Sequence, residues 1–124
     1  MSTAGTVIVH GGSGALGRSL VSKFVSEGWR VVSVDLGKNE EATENVIVAG
    51  GTGGASEQAE EVLSGVKKVV GEEDKVQAVL CVAGGWAGGG VGKIGGLRGA
   101  DRMWEQSVVS SLVASHLAVH LLDK

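Results

Sequence analysis

Residues 6–17 read Thr6-Val7-Ile8-Val9-His10-Gly11-Gly12-Ser13-Gly14-Ala15-Leu16-Gly17. Thr6 to His10 is short, β-branched and continuously apolar up to the histidine, the pattern of a strand buried on both faces. Glycines follow at once. Leu16, Leu20, Val21, Phe24 and Val25 then recur at helical spacing, and Gly28 is a natural stop. Strand, glycine turn and helix in this order predict the first unit of a parallel α/β sheet.

The rest of the chain repeats the alternation. Arg30-Val31-Val32-Ser33-Val34-Asp35 reads as a second buried strand, and Asn45-Val46-Ile47-Val48 as a third. Ala59, Val62, Leu63, Val66 and Val70 line one face of a helix, with Ser56 as its N-cap and Glu57 in the first turn. Val76 to Val82 reads as a fourth strand. Asp101 to about Leu122 reads as a long last helix with Met103, Trp104, Val108, Leu112 and Leu117 as its apolar stripe. Continuous apolar strands alternating with helices imply a parallel sheet covered on both faces. The expectation is an α/β, Rossmann-type doubly wound parallel sheet of about four strands in order 3-2-1-4. A complete sheet of this type has about six strands, so residues 1–124 read as the dinucleotide-binding half of a single domain.

Composition narrows the function. The 124 residues carry a net charge of −3, against a binder of nucleic acid, which presents a basic face. A single cysteine excludes an intrachain disulfide and leaves too few thiolates for a structural zinc site. No apolar run approaches the ~18 residues of a membrane span. The N-terminal Met-Ser-Thr-Ala-Gly lacks a signal pattern, so a cytoplasmic location is expected. Glycine accounts for 22 residues and tyrosine for none. The glycines cluster in 11–17, 50–54 and 84–99 without a fixed period, so this is no repeat array. A low-complexity linker suits the last cluster in part.

Gly12, Gly14 and Gly17 form G-x-G-x-x-G, and Gly11, Gly14 and Gly17 form G-x-x-G-x-x-G. Glycine serves three needs here: a tight turn, backbone approach to a pyrophosphate, and close packing of helix on strand. The helix N-terminus supplies free N–H groups and a positive dipole end. Asp35 lies 23 residues after Gly12, at the end of the second strand. A carboxylate there accepts both ribose hydroxyls and repels a 2′-phosphate. That predicts NAD(H) over NADP(H), with Lys38 three residues on as a softening cation. Gly92-Lys93 is followed by Ile94 rather than Ser or Thr, which rejects a nucleoside-triphosphate loop.

The loop, Asp35 and above all Leu80-Cys81-Val82-Ala83-Gly84-Gly85-Trp86-Ala87-Gly88-Gly89 resemble the dihydropteridine reductases. These are short-chain dehydrogenase/reductases that recycle quinonoid dihydropterin with NADH. Trp29 to Glu41, Met103 to Ser107 and Ser115 to Ala118 are similar to the family as well, so the resemblance covers essentially the whole chain. The Trp-bearing run is its specific part, because short-chain reductases in general carry Asn-Ala-Gly there.

The resemblance implies NADH-dependent reduction of quinonoid dihydropteridine to tetrahydropteridine, in tetrahydrobiopterin recycling, by a homodimer packed largely through helices. It implies that Gly11, Gly12, Ser13, Gly14, Ala15, Leu16, Gly17, Asp35 and Leu36 hold NADH, with NADPH weaker. Ala83, Gly84 and Gly85 would flank the cofactor. Trp86 would lie beside the nicotinamide and the pterin, where an aromatic face can stack on a flat bicycle. The family's Tyr-x-x-x-Lys pair belongs to the second half of the domain, so no catalytic residue is expected in these 124 residues, and the chain alone is expected to be inactive. Two further departures are visible. The Gly50-Gly51-Thr52-Gly53-Gly54 stretch lacks the acid that short-chain reductases usually place near the adenine, and Ser107 stands where the wider superfamily often has Asn.

Two readings of another kind remain. One is a non-catalytic dinucleotide-binding or dimer-partner module, and the other a product without a stable fold, exposing a sheet edge. His116 and His120 share a helix face, but lack the Glu and third ligand of a zinc motif, and read as a polar stripe near a dimer contact. His10 reads as a local hydrogen-bonder whose pKa burial would lower. Cys81 reads as packing, and Glu40-Glu41 and Glu72-Glu73-Asp74 as solvated loop charge.

Overall fold

The computed structural model describes residues 3–50, 53–72 and 74–122. Among these residues four parallel strands form one sheet: β1 (Thr6–His10), β2 (Arg30–Asp35), β3 (Glu44–Ile47) and β4 (Ala78–Cys81), in the expected order 3-2-1-4. The helices are α1 (Ala15–Ser26), α2 (Ala55–Val69), α3 (Ile94–Met103) and α4 (Ser110–Leu121). A π-helical turn, Trp104–Val109, joins α3 to α4.

Alternation along the strands divides the core in two. Val7, Val9 and Val31 point to one face and meet Val21, with Phe24 and Trp29 packed alongside. The Phe24 and Trp29 rings meet edge to face, with centroids 5.2 Å apart. Ile8, Val32, Val34 and Val46 point to the other face and meet Val62 and Val66 of α2 and Val113 and Leu117 of α4. β1 is buried along its whole length, as its unbroken apolarity requires. Gly28 sits at φ +84° and ends α1 in the left-handed conformation that L-residues resist.

Several elements differ from their sequence reading. β3 begins and ends one residue earlier, and β4 is confined to Ala78–Cys81. Val76 instead makes an isolated bridge to Leu122. α2 is capped by Gly54, not Ser56; the Glu57 carboxylate reaches back to the Gly54 N–H at 3.0 Å, and Ser56 Oγ donates to Glu57 at 2.9 Å. Those backbone and hydroxyl donors hold the Glu57 carboxyl below its ordinary range.

The last helical stretch starts at Ile94, seven residues before the expected Asp101, inside the glycine cluster. Its buried stripe is Val109, Val113, Ala114 and Leu117; Trp104, Val108 and Leu112 face outward. The π turn explains the difference. Ser110 N–H donates to Glu105 O, five residues back. The extra residue moves the buried positions from Val108 and Leu112 to Val109 and Val113, while Leu117 is buried as expected. Asp74 is exposed, as expected of a loop charge, and pairs with Arg30 Nη1 at 3.0 Å. The Gly71 N–H and then Arg30 hold its carboxyl below the usual range. Glu73 lies outside the described residues.

Candidate nucleotide cleft

The chain runs outward from β1 to β2 and β3, then crosses back to β4 on the other side of β1. In such sheets ligands bind outside the carboxyl ends of the strands, where the direction switches. A cleft of about 460 Å³ lies there. Its lining includes His10, Gly11 and Gly14 from β1 and its loop, and Asp35 and Leu36 from the end of β2. Ala83 and Gly84 come from beyond β4. The expected site residues from three chain segments are therefore brought together.

The glycine loop is shaped by close packing. A Cβ on Gly11, which has φ +96°, would run into the backbone of Ala83. One on Gly12 would meet the Ser33 side chain, and one on Gly17 the carbonyl of Gly11. Gly14 differs: its nearest neighbour would be Gly11 O at 3.5 Å, so its outer face is open. Gly14 is the N-cap of α1 without a side-chain cap, and Arg18 N–H is the first to bond back, to Gly14 O at 2.8 Å. The preceding first-turn N–H groups are the free donors of a helix N-terminus.

The end of β2 is bound to this loop. Asp35 accepts the Ser13 N–H at 2.8 Å on one oxygen and the Leu36 N–H at 2.6 Å on the other. Ser13 Oγ donates to Gly37 O at 2.7 Å. Asn39, unremarked in the sequence, is buried and donates to Gly12 O at 2.8 Å, while its Oδ1 accepts the Glu41 N–H. It stands between Lys38 and Glu40 in the loop from β2 to β3, where no spacing marks it. Lys38 is exposed and paired with Glu40 at 3.7 Å.

His10 is buried, and its Nδ1 has no hydrogen-bond partner among the described residues, so the expected local bond is not made by that atom. Burial lowers its pKa below the ordinary 6.5, with the nearby Asp35 carboxylate acting weakly the other way. Across the cleft, Ser110 Oγ donates to Gln106 O at 2.6 Å and also lies 3.3 Å from Ala83 O, linking α4 to the loop after β4. Gln106, Arg102, Glu105 and Gln58 join the lining from the helices; Glu105 and Gln106 lie in the Met103–Ser107 run noted above, and the sequence had singled out neither Arg102 nor Gln58.

The expected site residues Gly12, Ser13, Ala15, Leu16, Gly17 and Gly85 are not among those lining the cleft. Trp86 is not brought to it: the side chain is 84% exposed and its ring lies over Gly88. Cys81 is exposed, with Sγ 3.7 Å from Ser110 O, rather than packed in the core. The His116 and His120 rings lie 4.4 Å apart, and no group of three or more metal-ligating side chains occurs among the described residues. No helix among those residues is long and apolar enough to cross a membrane.

No family model matches the chain. A dihydropteridine reductase from Dictyostelium discoideum is 30% identical over 118 residues, which are 95% of this chain and 48% of that protein. The chain thus spans about half the length of the curated relative it matches. A short-chain dehydrogenase/reductase from Serratia marcescens superposes with a TM-score of 0.72 at 23% identity, over 96% of this chain and 53% of that one. The ligand-free aldohexose dehydrogenase of Thermoplasma acidophilum gives a TM-score of 0.73 at 21% identity, over 97% and 45%. The chain is similar in sequence to dihydropteridine reductase and has the fold of about half of a short-chain dehydrogenase/reductase.

Proposed function

We propose that this chain is the NADH-binding half of a dihydropteridine reductase domain. The observation that carries the reading is the glycine loop locked against Ala83 and Ser33, with Asp35 at the neighbouring strand end. The cradle fits a dinucleotide, because side chains are excluded at Gly11, Gly12 and Gly17 while Gly14 stays open. The first-turn N–H groups of Ala15, Leu16 and Gly17 would face a diphosphate. Asp35 would accept the ribose hydroxyls, and its charge would oppose a 2′-phosphate, so NADPH would bind more weakly. Ala83, Gly84 and Gly85 would leave room for the nicotinamide. The dinucleotide would supply hydride for reduction of a quinonoid dihydropterin. Trp86, exposed beyond β4, would offer a flat face to that pterin.

The exposed row Trp104, Val108 and Leu112 fits the helix packing of a homodimer. A second reading, binding without turnover, is favoured by the absence of tyrosine from these 124 residues. The test is titration with NADH and NADPH, followed by nicotinamide fluorescence. NADH is expected to bind more tightly, with Asp35→Ala closing the gap. Equal affinity for both would overturn the preference, and binding of neither would overturn the reading. Turnover of quinonoid dihydropterin by the 124-residue chain would reject the binding-only alternative.

A further inference from the structure

The end of the cleft beyond Asp35 is lined by side chains for which the glycine loop gives no account. Leu36 follows β2 and Val48 follows β3; Gln58 comes from α2, Arg102 from α3 and Glu105 from the π turn. Leu36 and Val48 offer apolar surface of the kind that covers a flat ring. Gln58 Nε2 donates to Glu105 Oε1 at 3.4 Å, bridging α2 and the π turn. Glu105 thereby orients the amide. Nε2 is engaged, and Oε1 is left to accept. The carboxylate is itself acceptor only. These two side chains therefore ask for a hydrogen-bond donor on whatever enters.

We propose that Gln58, oriented by Glu105, reads the base of the dinucleotide and selects adenine over a 6-oxopurine. The inference rests on the dinucleotide reading above. The exocyclic amino group of adenine donates to Gln58 Oε1. A hypoxanthine base presents a carbonyl at that position and carries its donor on N1 instead, so Gln58 Oε1 meets an acceptor and the contact made to adenine is lost. Recognition thus comes from helical side chains, not from an acid in the loop after β3, where this sequence has glycines.

The experiment compares binding of NADH and of reduced nicotinamide hypoxanthine dinucleotide to the 124-residue chain by nicotinamide fluorescence. NADH is expected to bind roughly tenfold more tightly or better, the discrimination of a good side-chain-to-base pair. Gln58→Leu is expected to bring the two within about twofold by weakening NADH alone, with the circular dichroism spectrum unchanged. A merely structural role would weaken both. Measurable binding of both dinucleotides at equal affinity by the unmodified chain overturns the proposal while leaving the dinucleotide reading intact. Binding of neither overturns both.

Discussion

The α-carbon of Gly17 packs against the carbonyl of Gly11 with no space for a methyl group between them. Both atoms belong to backbone, so neither can swing aside. Gly17→Ala is expected to lower stability by about 1–3 kcal/mol through overpacking, read as a shift of the urea midpoint. Gly14→Ala is the control. Its φ of −73° suits alanine, and its Cβ would make ordinary van der Waals contact at 3.5 Å from Gly11 O. That variant is expected to stay within about 1 kcal/mol of the parent and to weaken NADH, since the methyl enters the open face. An equal loss of stability in both variants would contradict this division between packing glycine and contact glycine.

His10 titrates at lower pH in the folded chain than its ordinary 6.5, because burial disfavours the cation. Between the two pKa values the unfolded chain binds more protons than the folded one. Stability therefore rises with pH through that window and levels off above about 6.5. Acidification below that point is expected to destabilise the chain, and His10→Phe to flatten that part of the profile. Urea midpoints across about pH 5 to 7.5 measure it; an unchanged slope in the variant would count against the assignment.

Trp86 is too exposed to support the core. Trp86→Ala is expected to change folding stability by no more than about 0.5 kcal/mol. The same substitution, in a protein that also carries the Tyr-Lys half, is expected to raise KM for the dihydropterin while leaving NADH affinity unaltered. Unchanged pterin kinetics would leave Trp86 as a surface residue with no part in the site.

Leu112 lies on the outward row with Trp104 and Val108 and is 55% exposed. An apolar row of this kind is a contact surface in waiting. Sedimentation is expected to show self-association of the chain, and Leu112→Glu to return it to monomer with its helix content intact. A parent chain that sediments as a monomer at every concentration would reject this surface as the dimer contact.

The strands β1 and β2 were legible residue for residue because β-branched runs ending in glycine or an acid admit few other conformations. The glycine loop and Asp35 were legible for a related reason: a chemical demand at fixed spacing leaves a mark in one dimension. The start of α3 was not. Ile94-Gly95-Gly96-Leu97 is poor helix-forming sequence, and it becomes helical in its tertiary setting. In the stripe of the last helix Leu117 is buried as expected, but Val108 and Leu112 were misphased by one residue from Val109 and Val113, because a π turn leaves no mark in an apolar pattern. Asn39 and the Gln58–Glu105 bridge were also invisible, since each joins residues far apart in the chain.

Local pattern alone determined the sheet order, the α/β alternation and the position of a phosphate-sized loop. Periodicity and glycine spacing act over one or two turns of chain, and right-handed crossovers leave little choice of order. Only the tertiary structure decided which groups share the cleft. It closed Asp35 onto Ser13, stripped water from His10, and set Gln58 against Glu105. Those arrangements depend on packing between segments separated by tens of residues, and the physical reason they escape a linear reading is that burial and hydrogen bonding are properties of neighbours in space.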